Sequence, residues 1–229
     1  MRAIWITLIG LVLVGCTTTE TRLASSANIR PASAASRVLV VQPDVQLAEL
    51  TAAGLSAPRA DWGQAGRDNL NRDLQAAIVA RGRTIGQLNP DILQAGRTGQ
   101  LIRLHDLVGQ SILAFSYGDI RLPTKTGPLD WTLGEGAATL ARSGDADYAL
   151  FVTANGTYAS TGRKMLTVGA ALLGVDVPLG RQQVFASLVD LKTGRIVWFN
   201  LAVAGPSADM RETDGSRQLV KALLKDAPF

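Results

Sequence analysis

The sequence predicts an α/β fold in which a single mixed β-sheet is covered by helices and closes with a C-terminal β-hairpin followed by a helix. An α+β arrangement of the same pieces is the alternative. Three observations lead there. Short runs rich in Val, Ile and Leu are separated by segments whose apolar residues recur every three to four positions, which are the strand and helix periods. Two strand-like runs, 182–191 and 195–204, are joined by Lys192-Thr193-Gly194, a hairpin-length connection with Gly at its end. About 190 residues follow position 36, enough for one domain with its own core.

Arg37-Val38-Leu39-Val40-Val41-Gln42 is a β-branched run closed by Pro43-Asp44, and reads as the first buried strand. The stretch after it, with Gly54 and Pro58, has no period and reads as irregular. Asp61 is placed to cap a helix that starts at Trp62; Trp62, Gly66, Leu70, Leu74 and Ile78, with Ala77, share one face, and Gly82 lies beyond its end. Thr84-Ile85 is a short candidate strand and Asn89-Pro90 a turn. A second helix fits 99–115, with Leu101, Leu104, Val108 and Ile112 on one side, and a shorter one fits 133–142. A strand over 146–152 follows a turn. In the hairpin, Val184, Ala186, Leu188 and Asp190 alternate with Phe185, Ser187, Val189 and Leu191, so both faces are apolar, as in strands covered on each side. A last helix spans 214–225, with Leu219, Val220, Leu223 and Leu224 inward. Strand, helix, helix, helix, strand, hairpin, helix is an order that a helix-covered sheet satisfies. There is no internal repeat.

The N-terminus poses a different question, since the sole cysteine, Cys16, ends an apolar run. Arg2 supplies a positive charge, and the stretch from Ala3 to Val14 is too short to span a bilayer but suits the apolar region of a secretory signal. Leu13-Val14-Gly15-Cys16 resembles the lipobox of bacterial lipoprotein signal peptides. That resemblance implies cleavage before Cys16, diacylglycerol on its thiol and an acyl chain on its new amino group. Thr17 in place of Asp implies the outer membrane, with the domain facing the periplasm. A plain signal peptide with a chance cysteine is the other reading. Residues 1–15 are thus expected to be the signal peptide, 16–36 the lipidated cysteine and a flexible Ser/Thr/Ala tether, and 37–229 the globular domain. The net charge is +4 without a basic run, which speaks against a nucleic-acid face.

The pieces RVLVVQPD, DADYALFV and FASLVDLKTGRIVWFN resemble the core of small bacterial envelope lipoproteins, similar to CsgG, to the amino-terminal domain of TolB and to LpoB-type activators of peptidoglycan synthases. The resemblance implies an envelope role but no single one, because the members differ in function.

No catalytic constellation stands out. His105 is the sole histidine and reads as structural or surface, with Asp106 beside it expected to face elsewhere. Asp145-Ala146-Asp147 has a DxD form but precedes a strand, where Asp is a common turn former, so no metal is expected. Gly162-Arg163-Lys164 lacks the full phosphate-loop pattern. The unusual part is 165–179, MLTVGAALLGVDVPL, whose candidate contact residues are Met165, Leu166, Val168, Leu172, Leu173 and Val175. It reads as buried core, as an exposed contact surface for a partner or for self-association, or as a membrane-inserting hairpin. It lacks the apolar-polar alternation of a barrel hairpin.

The expected function is a lipid-anchored, non-catalytic binding or scaffold lipoprotein that docks an envelope protein, such as a cell-wall synthase or a secretion or efflux assembly. A CsgG-like secretion-pore subunit is the alternative, and a periplasmic hydrolase the third. The expected partners are membrane lipid through Cys16 and an envelope protein, with no nucleic acid and no cofactor beyond the lipid itself.

Overall fold

The computed structural model describes residues 17–25, 36–86 and 96–229. Its strands are β1 (Thr18–Leu23), β2 (Arg37–Val40), β3 (Asp44–Leu50), β4 (Ser56–Pro58), β5 (Thr84–Gly86), β6 (Trp131–Thr132), β7 (Tyr148–Ala159), β8 (Gln182–Asp190) and β9 (Arg195–Ala204). The α-helices are α1 (Ala60–Ala80), α2 (Gly96–Ile112, continued by a π-helical turn at Leu113–Tyr117), α3 (Ala138–Gly144), α4 (Thr161–Ala171) and α5 (Thr213–Leu223).

All the described strands join one mixed, unclosed sheet in the order β1-β9-β8-β7-β2-β5. In the run β7, β8, β9, β1 each strand is antiparallel to the next, whereas β2 and β3 both run parallel to β7 along the same edge. β2 pairs with the start of β7, Val38 opposite Tyr148, and β3 pairs with the rest, Asp44 opposite Thr153 through Leu50 opposite Ala159. The fold class is the one the residues predict. The strand closed by Pro43 is instead interrupted: Pro43 lacks an N–H and breaks the ladder, and the chain then resumes on the same neighbour. Val45 and Leu47, which point to one side as a strand requires, are buried, and the supposedly irregular stretch is β3 and β4.

Helices cover both faces. On one, Leu70, Leu74 and Ile78 of α1 and Leu219 and Leu223 of α5 meet Val38, Leu150, Leu188 and Trp198. On the other, Leu101 and Ile112 of α2 and Leu140 of α3 meet Leu39, Phe151, Phe185 and Phe199. Phe185 and Phe199 stack at 5.3 Å between centroids. Central strands that feed two cores must be apolar on both sides, which is why β8 and β9 read as continuous apolar runs. Their hairpin closes on Asp190, whose Oδ1 accepts from the backbone N–H groups of Lys192 (2.8 Å) and Thr193 (3.3 Å), and Gly194 takes φ +72°.

Two expectations are corrected. Asp61 is not the cap of α1: Arg59 holds the N-cap position without a side-chain hydrogen bond. The Asp61 carboxylate lies in the first turn, where Arg59 Nε and Nη2 grip it at 2.9 and 2.7 Å. Thr18–Leu23, read as tether, is an edge strand: β1 pairs with β9 from Thr18 opposite Val203 to Leu23 opposite Trp198. Backbone hydrogen bonds hold it where its side chains bury little.

Candidate functional site

The 165–179 segment is neither buried core nor a pair of strands. It begins as α4, and none of the residues of that helix is buried. Ser160 caps it, its Oγ accepting from the Arg163 N–H at 3.2 Å. Gly174 ends it at φ +74°, with Val175 N–H donating to the Ala170 carbonyl and Gly174 N–H to that of Ala171, a Schellman closure that needs a left-handed residue there.

The helix is amphipathic the wrong way round for a core element. Its inner, half-buried stripe is Arg163, Thr167 and Ala170. Arg163 Nε donates to the Pro178 carbonyl at 2.7 Å, and Thr167 Oγ1 reaches the Val177 carbonyl at 3.4 Å, so polar atoms fasten the helix to its own return segment. The outward side carries Met165, Leu166 and Val168, followed by Leu172, Leu173, Val175 and Leu179, all exposed; Leu172 and Leu173 reach 85% and 82%. Of the sequence-derived contact residues, all six therefore lie on the surface. Leu13, Val14, Gly15 and Cys16 lie outside the described residues.

At the base of α4 the sheet holds a cation-aromatic stack that sequence reading missed. The Arg211 guanidinium lies 3.5 Å from the Tyr158 ring centroid and 4.4 Å from that of Trp62, and Arg59 covers Trp62 at 4.2 Å. Asp209 receives Arg211 through both oxygens, at 2.7 and 3.0 Å. Burial pushes the Tyr158 phenol up, and the neighbouring Asp209 charge pushes it further. Burial would also raise Asp209, but the Arg211 hydrogen bonds win and hold its carboxyl below the usual range. These five residues come from three distant stretches of chain, 59–62, 158 and 209–211, so no sequence spacing announces them. A cavity of about 270 Å³ beside them is lined by Lys164, Leu179, Arg181, Gln182 and Arg211 among others.

His105 is wholly buried, not on the surface. Its ring stacks on Phe151 at 3.8 Å, and its Nε2 lies 2.6 Å from Ser187 Oγ. Asp106 does not face away: its Oδ1 comes to 3.6 Å from His105 Nδ1, too far for a hydrogen bond. The order Asp, His, Ser is that of a hydrolytic triad, but neither His105 nor Ser187 has surface that a substrate could reach. Burial holds the imidazole below its ordinary pKa, with Asp106 opposing. The pair ties α2 to β8.

Asp145 and Asp147 act as turn formers. Asp145 ends α3 in the left-handed region and pairs with Arg37, while Asp147 Oδ2 accepts from the Arg37 backbone N–H at 3.0 Å. No helix among the described residues is long and apolar enough to cross a membrane.

No protein-family model and no curated protein matches the chain. Among solved structures it is similar to the PelC dodecamer from Paraburkholderia phytofirmans, at 13% identity and a TM-score of 0.40, covering 91% of this chain and 96% of that one. It is also similar to the LpoB C-terminal domain from Salmonella enterica, at 16% identity and a TM-score of 0.30, covering 77% and 85%. A third similar structure is the lipoprotein GNA1162 from Neisseria meningitidis, at 13% identity and a TM-score of 0.32, covering 75% and 84%.

Proposed function

We propose that this chain is a lipid-anchored, non-catalytic binding or scaffold protein of the bacterial envelope. It is held at Cys16 on the periplasmic side of the outer membrane and docks an envelope component through the 165–179 surface. The observation that carries the reading is α4, a helix that Arg163 fastens to its return segment at Pro178 and to the body at the Thr51 carbonyl, with its apolar residues turned to solvent. Burying a Leu, Val or Met side chain is worth about 1.5–3 kcal/mol, so a run of such residues in the open favours a contact. The lipobox resemblance of Leu13-Val14-Gly15-Cys16 supplies the location.

The test is a photo-crosslinking residue at Leu172 of the full chain, expressed in cells, with the products identified by mass spectrometry. The expected result is a crosslink to one envelope component, lost in a Cys16→Ser chain that cannot be lipidated. An unmodified Cys16 in the membrane-extracted N-terminal peptide would overturn the anchor, and the absence of any crosslink from Leu172 would overturn the contact surface. A substrate turned over by the chain, with the activity lost on changing Asp145 and Asp147, would make it an enzyme.

A further inference from the structure

We infer that the occupant of the α4 surface is the phospholipid leaflet that carries the lipid of Cys16, so that α4 is a second, interfacial membrane contact. This rests on the anchor reading above and names what its surface binds. The strand register supplies the geometry. Thr18 pairs with Val203, Val203 with Gln183, and Gln183 with Asn155, so one row crosses β1, β9, β8 and β7. At about 4.8 Å per strand, Thr18 stands about 14 Å from β7 in that row. Thr17 is fastened there as well, its Oγ1 accepting from the Gly205 N–H at 3.3 Å. Cys16 is the residue that precedes Thr17 in the sequence.

The same end of the sheet is where β7 hands the chain to α4 and where the chain returns, Ala159 N–H donating to the Leu179 carbonyl and Thr157 N–H to that of Arg181. A lipid on Cys16 therefore draws the bilayer to the end of the sheet from which α4 emerges. Because β1 is a paired strand, little slack separates that lipid from the body.

The chemistry of the surface selects hydrocarbon over protein. The side chains of Met165, Leu166, Val168, Leu172 and Leu173 offer no N–H or O–H donor and no oxygen acceptor, whereas protein interfaces use about one hydrogen bond per 100–200 Å². Charge at the base suits anionic headgroups. Lys164 and Arg181 are exposed there, and between positions 160 and 181 Asp176 is the sole acid against Arg163, Lys164 and Arg181. An apolar face with basic residues at its margin is the pattern of a helix lying in the interfacial plane.

The single cysteine makes the test direct. A Leu172→Cys chain, matured in cells and extracted, has one free thiol if Cys16 is lipidated, and that thiol takes an environment-sensitive NBD fluorophore. A Val79→Cys chain is the control. Val79 is exposed at the end of α1, which leads into β5 beside Arg37, at the opposite end of the sheet. Both are reconstituted into vesicles of phosphatidylethanolamine and phosphatidylglycerol with doxyl quenchers on the acyl chains. The expected result is a blue shift and quenching at position 172 and neither at 79. Emission at 172 that matches the detergent-free aqueous spectrum would overturn the membrane contact and leave the anchor standing. So would a blue shift that needs no lipid and grows with protein concentration, the sign of a second copy, or a crosslink from Leu172 to protein alone. Label uptake by the parent chain would show a free Cys16, and would overturn the anchor and the inference with it.

Discussion

His105 shows how a residue that looks chemical is tied up in structure. Its imidazole is sandwiched against Phe151 and bonded to Ser187, and Asp106 is the one charged group near its other nitrogen among the contacts of the described residues. Burial lowers its pKa, so the folded chain keeps it neutral, while the unfolded chain protonates at the ordinary value of about 6.5. The unfolded state therefore binds more protons below that pH. Stability is whole above about pH 6.5 and is lost progressively as the pH falls below it. Melting curves between about pH 7 and 5.5 should show a falling midpoint that a His105→Gln chain does not share over that window; parallel profiles would contradict this. Gly194 is constrained more simply. Its φ is +72°, and a Cβ there would meet the Gly134 carbonyl oxygen at 2.1 Å. A Gly194→Val chain should lose about 1–3 kcal/mol from backbone strain and more from the clash, a Tm drop of several degrees in a thermal scan.

At the scale of elements, what was legible in the sequence is what is held by buried side chains. The apolar stripes of α1 and α5 and the double-faced runs of β8 and β9 announce themselves because each residue faces a core. β1 did not, because Thr18–Leu23 bury little and are held by backbone bonds to β9, which composition cannot reveal. β3 was hidden by Pro43, although the Val45 and Leu47 alternation was there to be seen. In α4 the apolar residues were visible, but their direction was not, since it depends on Arg163 bonding inward to the Pro178 and Thr51 carbonyls and Thr167 to that of Val177. Two predictions follow from these placements. A chain beginning at Ser36 leaves the β9 edge unpaired along 198–203, and should melt lower and aggregate more than one beginning at Thr17. Light scattering and Tm compared side by side would show it, and equal behaviour would mean that β1 adds nothing. A Leu172→Ser/Leu173→Ser chain should keep its parent Tm to within about 0.5 kcal/mol of stability, because both side chains already face water.

For the molecule as a whole, the three sequence pieces behind the envelope-lipoprotein resemblance fall on β2, on β7 and on the β8–β9 hairpin. These lie in the middle of the sheet, so the resemblance reports its centre and is silent on the α4 surface where the contact is proposed. That centre also couples the two halves of the protein. Trp198 points into the α1–α5 core and Phe199, the next residue, into the α2–α3 core, so neither core can melt without disturbing strands that complete the other. One cooperative transition is expected. Cutting the buried Trp198 or Phe185 to Ala should destabilise by about 3–5 kcal/mol each, from opposite faces of the sheet. If the coupling holds, each change shifts the same single transition, with far-UV and near-UV circular dichroism melting together in both variants. A Phe185→Ala chain that loses its near-UV signal while the far-UV signal persists would show instead that the α2–α3 face melts on its own, and that the sheet is a seam between two units.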